Sequence, residues 1–417
     1  MLYITARNVA EPTGEWNLIV ARAHALYLIT GITTRILAIT KRAWLMPSRM
    51  APSVEGVVID HFCYESLIGS VGASVCAMRR ALSIASRDDC IATIVSGFHS
   101  ELMAGSLTRR QGIPLLVDMH AVIDEWLDYP RQFAGHPRLL KMFVRTMKAI
   151  RRRAVRKSSA IMAVSEPLIE YSNETFGVRT SLKIPCGVMS TMSISGMRSS
   201  REDWRNRFGL HDELVVAYSG GISRWQLIRE SCSIFLGIKD LRQDSKLLLL
   251  TPDVQAALAV ADSVGVQSSD IIATYVPPTD VIPALCAADI GLLLREDNIT
   301  NRVAFPNKFT EYVSGGLIIV TSPGLVEPSS IVKKFQLGIV VQPDGSCDPR
   351  LAVELPPVIA RRAHDIEAYW RDCHEAIHQR MLMVEMVKPM AEYLRRWGDC
   401  GRRCPGVEPH EKWSACR

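Results

Sequence analysis

Apolar, β-branched runs alternate with helical segments along most of the chain. Such runs are typical of strands buried in a parallel sheet, because crossover helices cover both of its faces. The first half contains LYITAR, TRILAI, VEGVVID, CIATIVSG, IPLLVDMH and AIMAVS, and the second half contains VVAYSGG, SKLLLLTP, DIIATYV, IGLLLR, LIIVTS and GIVVQP. Between them lies LKIPCGVMSTMSISGMRSS, which has the Ser-, Met- and Gly-rich composition of a linker. The sequence therefore predicts an α/β chain with two doubly wound, Rossmann-like domains.

The length of the chain agrees with two domains. It has 417 residues, too many for one typical domain, and its 48% hydrophobic content is ample for packed cores. We expect a first domain over residues 1–190, a second over residues 191–375, and a helical extension over residues 376–417 that could pack back on the first domain. Ligands of open parallel sheets bind outside the carboxyl ends of the strands, so chemistry is expected in the loops after VDMH, YSGG and IGLLLR.

The stretch AFPNKFTEYVSGGLIIVTSPG combines a short helix, a glycine pair and a buried strand. Pro306 suits the first helical position, which would leave the amides of Asn307, Lys308 and Phe309 free at the helix start. The helix dipole and the Lys308 ammonium together favour a phosphate or pyrophosphate there. Glu311 lies one turn further, where a carboxylate can accept hydrogen bonds from sugar hydroxyls. The alternative is a surface Lys–Glu pair at i and i+3.

The order of several motifs resembles glycosyltransferase family 4, a group of enzymes with the GT-B fold. These motifs are a glycine loop after the first strand, a histidine after a later strand, AVSEPL, IPCGV, YSGGISRWQ, CAADIGLLLR and PNKFTEYVSGG. The resemblance implies two facing Rossmann-like domains with an interdomain cleft. It also implies a nucleotide-sugar donor held mainly by the second domain and an acceptor held mainly by the first. Transfer in the family retains the anomeric configuration, and the sequence shows no obvious enzyme nucleophile.

The second-domain motifs match the family residue by residue in part. Glu311 matches the second glutamate of the family's Glu-x7-Glu motif, which bonds the donor's ribose hydroxyls. Gly220, Gly221 and Arg224 match the glycine loop and the basic residue that contact the diphosphate, where glycine permits close backbone approach and arginine can bind phosphate oxygens in a bidentate manner. Fixed cations and a helix start would stabilise the leaving diphosphate without a metal.

Two positions depart from the family pattern. Val303 stands where the motif has its first glutamate, and Gln226 stands where family members often have a lysine. Lys308 is therefore the candidate for the second positive charge on the diphosphate. Glu296 and Asp297 could replace the missing carboxylate, although an exposed acidic loop is the alternative interpretation.

In the first domain, His120 matches a family histidine that faces the donor sugar, and a structural histidine at a strand end is the alternative. Gly14 matches a flexible loop near the donor phosphates. His99 could line the same cleft, while its neighbour Ser100 could cap a helix. The resemblance thus implies catalytic roles for His120, Arg224 and Lys308. The donor-binding set that it implies is Gly14, Gly220, Gly221, Arg224, Pro306, Asn307, Lys308, Phe309 and Glu311.

Residues 138–157 are predicted to form a basic helix. From position 129 to position 165 the chain has ten Lys or Arg and no acidic residue. A basic stripe on the acceptor domain would hold the chain on an anionic lipid surface, near a lipid-linked or polysaccharide acceptor, and a solvated helix face is the alternative. The stripe consists of Arg138, Lys141, Arg145, Lys148, Arg152 and Arg156, beside the apolar Leu140, Val144, Met147 and Ile150.

Composition and remaining motifs narrow the function further. The net charge is +6, the eleven cysteines are scattered, and the N-terminus lacks the features of a secretory signal, so we expect a cytoplasmic protein, peripheral at the inner face of the membrane if the basic helix binds lipid. No apolar stretch is long enough to span a membrane. Aromatics do not interleave with the basic stripe, so nucleic-acid binding is not expected. Cys373, His374 and His378 do not complete a tetrahedral site, so we expect no metal and no separate cofactor.

Three functions remain open at this point. The resemblance favours a retaining, metal-independent glycosyltransferase. A non-catalytic binder of nucleotide sugars or nucleic acid would explain Val303 and Gln226. A GT-B sugar-nucleotide epimerase would share the architecture, but the acidic residues that its chemistry needs are not identifiable in the sequence.

Overall fold

The computed structural model describes residues 1–5, 14–41, 54–65, 67–86, 89–107, 113–129, 135–343 and 348–403. The chain divides into two compact units. Met1–Pro185 together with Met383–Arg417 forms unit 1, and Cys186–Leu382 forms unit 2.

Unit 1 is built on a seven-stranded sheet in the order β3-β2-β1-β4-β5-β6-β7, with all strand pairs parallel. Its strands are β1 (Leu2–Thr5), β2 (Thr34–Lys41), β3 (Val57–Tyr64), β4 (Thr93–Ser96), β5 (Leu115–Met119), β6 (Ala160–Ala163) and β7 (Ser181–Lys183). Its helices up to β7 are α1 (Gly14–Thr30), α2 (Leu67–Ala85), α3 (Phe98–Leu107), α4 (Glu125–Asp128), α5 (Pro137–Lys157) and α6 (Glu166–Phe176). Strands β1, β4, β5 and β6 are buried along their whole length, as expected for a sheet covered on both faces.

Unit 2 has a six-stranded parallel sheet in the order β10-β9-β8-β11-β12-β13. Its strands are β8 (Leu214–Ser219), β9 (Ser245–Leu250), β10 (Ile271–Thr274), β11 (Ile290–Leu293), β12 (Ile318–Thr321) and β13 (Gly338–Val340). Its helices are α7 (Ile194–Phe208), α8 (Ile228–Leu241), α9 (Val254–Val264), α10 (Val281–Leu285), α11 (Ile299–Arg302), α12 (Asn307–Ser314), α13 (Val326–Lys334), α14 (Pro349–His364) and α15 (Ile366–Arg380). The order reverses between β8 and β11, and this is where ligands of doubly wound sheets bind.

The last elements that the structure describes are α16 (Met383–Met386) and α17 (Lys388–Arg403), which belong to unit 1. Helix α17 contacts α1 and β7, with Tyr393 and Trp397 buried. The two sheets with their covering helices confirm the predicted α/β class with two Rossmann-like folds.

The unit boundaries differ from the predicted ones. Unit 1 ends at Pro185 rather than at residue 190, and the chain returns to it at Met383 rather than at residue 376. Residues up to 382 stay with unit 2 because α15 packs there: the Tyr369 hydroxyl donates to the carbonyls of Leu317 (3.2 Å) and Leu337 (2.6 Å). The predicted linker is also partly helical, since Ser193 caps α7 by accepting from the amide of Gly196.

A buried aspartate connects the helices of unit 2 to its sheet. Asp289 precedes β11, and its carboxylate contacts Arg201 of α7 (2.7 Å) and Arg362 of α14 (2.6 Å) and accepts from the Val215 amide of β8 (2.9 Å). Arg205 adds a third guanidinium at 3.7 Å. Burial alone would raise the pKa of Asp289, but Arg362 and Arg201 hold it below its ordinary value.

Replacing this carboxylate is therefore expected to destabilise the fold. Asp289→Asn leaves buried guanidinium groups without their counter-charge, and we expect a loss of about 3 kcal/mol in the free energy of unfolding by urea denaturation. The matched control is Asp297→Asn, which removes an exposed pair with Arg302 and should cost less than about 1 kcal/mol. Equal losses in the two variants would contradict the role of Asp289.

Candidate functional site

A tight glycine turn follows the central strand of unit 2. Strand β8 ends at Ser219, and Gly220 has φ +107°, a backbone conformation that residues with a side chain rarely adopt. Its amide donates to the carbonyl of Leu250 at 2.7 Å. A Cβ atom on Gly220 would lie 2.4 Å from Cε of Lys308. The glycine therefore leaves room for the lysine to lie against the turn.

Lys308 lies over this turn and is half-buried. Its Nζ donates to Oε1 of Gln226 and lies 4.3 Å from the centre of the Tyr218 ring. Burial, and then the charge of Arg295, lower the pKa of Lys308 well below its usual value, while Glu311 opposes the shift. Gln226 stands at the position where family members often have a lysine. Its side chain instead accepts a hydrogen bond from Lys308 of α12.

The start of α12 differs from the sequence prediction. The helix begins at Asn307, and Pro306 is its extended N-cap, with ψ 139°, rather than its first helical residue. The amide of Phe309 donates to the Pro306 carbonyl at 3.0 Å, and the Phe309 ring is buried edge-on against Phe305. Phe309 therefore does not offer a free amide. Within the described ranges, the amides of Asn307 and Lys308 donate to no protein oxygen.

The position of α12 is fixed by Tyr312. Its hydroxyl accepts from the Ser219 amide at 2.8 Å and donates to the Leu292 carbonyl at 3.3 Å, which ties the helix to the ends of β8 and β11. Gly291 provides the space, because a Cβ there would lie 2.7 Å from the Tyr312 ring. The glycine turn and the helix start are thereby held at the same edge of the sheet.

Glu311 lies one turn into α12 and is half-buried. Burial raises the pKa of Glu311, and the nearby Lys308 opposes this. Its carboxylate makes no hydrogen bond or ion pair with any of the residues that the structure describes. It therefore keeps its capacity to accept hydrogen bonds from a ligand.

Arg224 lies in the short 3-10 turn Arg224–Gln226 that follows the glycines. It is exposed, and the described part of the chain holds no carboxylate paired with it. The next residue after the turn, Leu227, is buried with φ 48°, an uncommon conformation for a residue with a side chain. Unlike Lys308, Arg224 is thus not held in place by the protein.

The position of the missing glutamate and its two proposed substitutes, Glu296 and Asp297, lie in different surroundings. Val303, at the position of the glutamate, is 1% exposed and belongs to the core. Asp297 forms an ion pair with Arg302 at 2.5 Å, and Asn298 lies 3.4 Å from the Glu296 carboxylate. The structure does not bring Asp297 into the site.

Arg295 is a site residue that the sequence interpretation missed. It follows β11, is 7% exposed and donates to the Leu294 carbonyl at 3.0 Å. Its charge helps to lower the pKa of Lys308. The signal available in the sequence was an arginine directly after the apolar run IGLLL, at the carboxyl end of a strand.

In unit 1, His120 follows β5 and faces two carboxylates. Its Nε2 lies 2.9 Å from Oδ2 of Asp118, and its Nδ1 lies 3.5 Å from Oε1 of Glu15 in the first turn of α1. The side chain is 7% exposed, and within the described ranges neither ring nitrogen has an aligned hydrogen bond. A buried imidazole with hydrogen-bonding capacity left over is a candidate ligand contact.

The other unit 1 candidates are less informative. Gly14 is the first residue of α1, and residues 6–13 before it lie outside the described residues. His99 Nδ1 lies 3.0 Å from the Ser74 hydroxyl, and burial lowers the pKa of His99. Ser100 donates to the Ser96 carbonyl at 2.6 Å.

Comparison with known proteins identifies the fold. No protein-family model matches the chain, and no curated protein matches it in sequence. Sucrose-phosphate synthase from Thermosynechococcus elongatus has a similar structure, with a TM-score of 0.69 at 13% identity over 96% of this chain and 99% of that chain. WaaG, a glycosyltransferase involved in lipopolysaccharide biosynthesis, gives 0.64 at 13% identity over 94% and 99%. Anabaena HepE in complex with UDP-glucose gives 0.64 at 14% identity over 95% and 99%. The chain has the GT-B fold.

The predicted basic stripe of this GT-B chain is only partly exposed. Lys148 binds Asp124 at 2.7 Å, and Arg152 donates to the Thr175 carbonyl at 3.1 Å. Leu140 and Val144 are buried, which is the ordinary packing that the sequence left open. The beginning of α5 is different, since Leu139 is 50% and Met142 61% exposed there. They lie among the exposed cations Arg138, Lys141 and Arg145.

In the described ranges of the GT-B chain, no helix combines the length and apolar character needed to cross a bilayer.

The half-buried ammonium of Lys308 is expected to reduce stability in a pH-dependent way. A lysine whose pKa is lowered by folding binds fewer protons in the folded than in the unfolded chain. Wild-type stability should therefore rise as the pH increases from that lowered pKa toward the ordinary lysine value of about 10.4, by about 1.4 kcal/mol per unit of lowering. Lys308→Met removes this rise and should be the more stable chain near neutral pH.

Urea denaturation of both chains at several pH values measures the difference. Lys333→Met, which removes an exposed lysine of α13, is the matched control and should keep the wild-type pH dependence. Parallel pH profiles for wild type and Lys308→Met would contradict the withdrawal of Lys308 from water.

Proposed function

We propose that the chain transfers a sugar from a nucleotide-sugar donor to an acceptor. The observation that carries this proposal is the Lys308 ammonium held over the Gly220 turn, beside the start of α12. Proteins of similar fold support it, since HepE is described in complex with UDP-glucose and WaaG as a glycosyltransferase.

The donor diphosphate would bind between the glycine turn and α12. Lys308 supplies a cation, the amides of Asn307 and Lys308 supply donors, and Gly220 and Gly221 let the backbone approach the phosphates. Arg224, which is exposed and without a described carboxylate partner, would close on the phosphates from the 3-10 turn. Glu311 would accept hydrogen bonds from the ribose hydroxyls.

This arrangement would act on the leaving group. As the bond from sugar to phosphate lengthens, negative charge grows on the diphosphate, and the Lys308 ammonium, the Arg224 guanidinium and the amides of the helix start would stabilise that charge. The binding of this charge needs no metal ion, and we propose transfer with retention of configuration. His120 would contact the transferred sugar, so that its loss lowers turnover more than nucleotide affinity.

A non-catalytic nucleotide-sugar binder is the second candidate function. It is favoured by Val303, which is buried where family members present a carboxylate to the donor sugar. Such a binder would take up nucleotide sugars without releasing nucleoside diphosphate, so turnover distinguishes the two functions.

For the acceptor, we propose a saccharide or lipid-linked precursor at an anionic membrane surface. The support is the beginning of α5, where exposed Leu139 and Met142 lie among three exposed cations. Cations near an anionic surface contribute about 1 kcal/mol each, and apolar side chains add burial in the interface. The chain would then be a peripheral membrane protein.

Removing a site cation should weaken nucleotide binding. A thermal-shift panel of UDP-, GDP- and dTDP-sugars first identifies the preferred donor, because a ligand that binds only the folded chain stabilises it. Calorimetric titration with the matching nucleoside diphosphate should then give about tenfold weaker binding for Arg224→Ala and for Lys308→Met, equivalent to about 1.4 kcal/mol.

Arg229→Ala provides the control, since Arg229 is an exposed arginine on α8 that donates to the Ser263 hydroxyl instead. Its affinity should equal that of the wild type. Wild-type affinity in both folded site variants would refute the assignment of the diphosphate site.

Vesicle binding should depend on the beginning of α5. The double variant Leu139→Ser/Met142→Ser removes both apolar anchors, so co-sedimentation with vesicles containing anionic lipid should fall at least about threefold. Wild-type binding should also weaken with added salt, because salt screens exposed charges within about 8 Å at physiological ionic strength.

Val353→Ser is the matched control, because Val353 is a 70% exposed apolar residue of unit 2. Its vesicle binding should remain that of the wild type. Equal binding of the wild type to neutral and anionic vesicles would argue against the lipid surface.

A further inference from the structure

A fully buried carboxylate lies behind His120. Asp118, near the end of β5, is 1% exposed and accepts hydrogen bonds from Arg22 of α1 at 2.9 and 3.0 Å. The Tyr3 hydroxyl of β1 donates to it at 2.6 Å. Burial alone would raise the pKa of Asp118, but His120 and Arg22 hold it well below its usual range. Asp118 is thus a fixed negative charge inside unit 1.

The partners of Asp118 leave it little freedom to move. Arg22 is 4% exposed, and its second terminal nitrogen donates to the Ile184 carbonyl after β7. Burial, and then Asp118, raise the pKa of Tyr3 well above its ordinary value, so that the phenol remains a donor. Arg22 of α1, which is itself bonded to the residue after β7, and Tyr3 of β1 therefore hold the carboxylate in place.

The two carboxylates that face His120 are not equivalent. Asp118 is buried and lies 2.9 Å from Nε2, whereas Glu15 is 25% exposed and lies 3.5 Å from Nδ1. The Nε2–H is therefore attracted by the closer and more deeply buried charge. Among the described residues, the charged groups nearest the ring are Asp118 on β5 and Glu15 on α1, with Arg22 behind Asp118.

We propose that Asp118 is a positioning residue for His120, deepening the function proposed above. Its charge, 2.9 Å from Nε2, favours a proton on that nitrogen, which leaves Nδ1, on the Glu15 side, as the nitrogen that bonds a sugar hydroxyl. The energetic reason is that a buried ionised carboxylate stabilises the tautomer whose protonated nitrogen is nearer to it. Arg22 and Tyr3 act only through Asp118, by keeping it ionised and fixed.

Nitrogen-15 NMR of the histidine-labelled wild-type chain tests the tautomer directly. The His120 signals are assigned by their absence in His120→Gln, and the pH is raised until one ring proton is lost. We expect Nε2 to keep its proton and Nδ1 to lose it. A ring that keeps the proton on Nδ1 overturns the proposal. This result does not depend on turnover, so the proposal can fail while the transferase function stands.

Kinetics with the preferred donor test the consequence. Asp118→Asn keeps the shape of the side chain but not its charge, and we expect its kcat to fall at least about tenfold, while the affinity for nucleoside diphosphate stays within about twofold of the wild type. The control is Glu101→Gln, which breaks another buried carboxylate–arginine pair of unit 1, with Arg151 at 2.9 Å, and leaves both His120 contacts in place.

The outcomes separate positioning from stability. A large loss of kcat in Asp118→Asn, with a small loss in Glu101→Gln, supports the proposal. Equal activity of the two folded variants overturns it. If Asp118→Asn does not fold, the NMR experiment on the wild-type chain decides. A wild-type chain that releases no nucleoside diphosphate from any donor refutes the proposed function and leaves the NMR result unaffected.

Discussion

A half-buried lysine ammonium held against a glycine turn is the interaction on which the candidate site of unit 2 depends. The ammonium of Lys308 contacts Gln226 and the Tyr218 ring, and Gly220 is the residue that leaves space for it. A desolvated cation is costly for a fold unless something compensates for it, and its pKa is lowered accordingly. Strongly shifted pKa values of this kind are concentrated at functional sites. A diphosphate would restore to the ammonium the charge interactions that it lost on leaving water.

The parallel sheet explains how this arrangement is possible. Strands β8 and β11 end at the same edge of the sheet. Tyr312 of α12 makes hydrogen bonds to backbone groups near the ends of both strands. The helix start, the glycine turn and Glu311 therefore have fixed relative positions without a long loop. In unit 1 a charged side chain is also held at the end of a parallel strand. This charge is the carboxylate of Asp118 near the end of β5, and α1 supplies Arg22, which binds Asp118, and Glu15, which faces His120.

How much of this could be predicted depends on the sequence distance between partners. The motif PNKFTEY correctly predicted that Lys308 and Glu311 lie in the first turns of a helix, because a helix start, a cation and a carboxylate within one turn form a local pattern. The capping details were wrong, since extended Pro306 and bonded Phe309 follow from how α12 meets the sheet. Asp118 was missed because its partner Arg22 is far away in sequence, and only the sheet order brings the two together. The ion pair of Lys148 with Asp124 was missed for the same reason, because the periodicity of a helix does not show contacts with residues outside that helix.

The central claim is that unit 2 binds the diphosphate of a nucleotide sugar at the Gly220 turn. A crystal structure of the chain with the nucleoside diphosphate that stabilises it most would test this claim most directly. We expect phosphate oxygens within hydrogen-bond distance of Nζ of Lys308 and of the amides of Asn307 and Lys308. The ribose hydroxyls should donate hydrogen bonds to the Glu311 carboxylate. A nucleotide bound elsewhere, with Lys308 still donating to Gln226 over an empty turn, would contradict it.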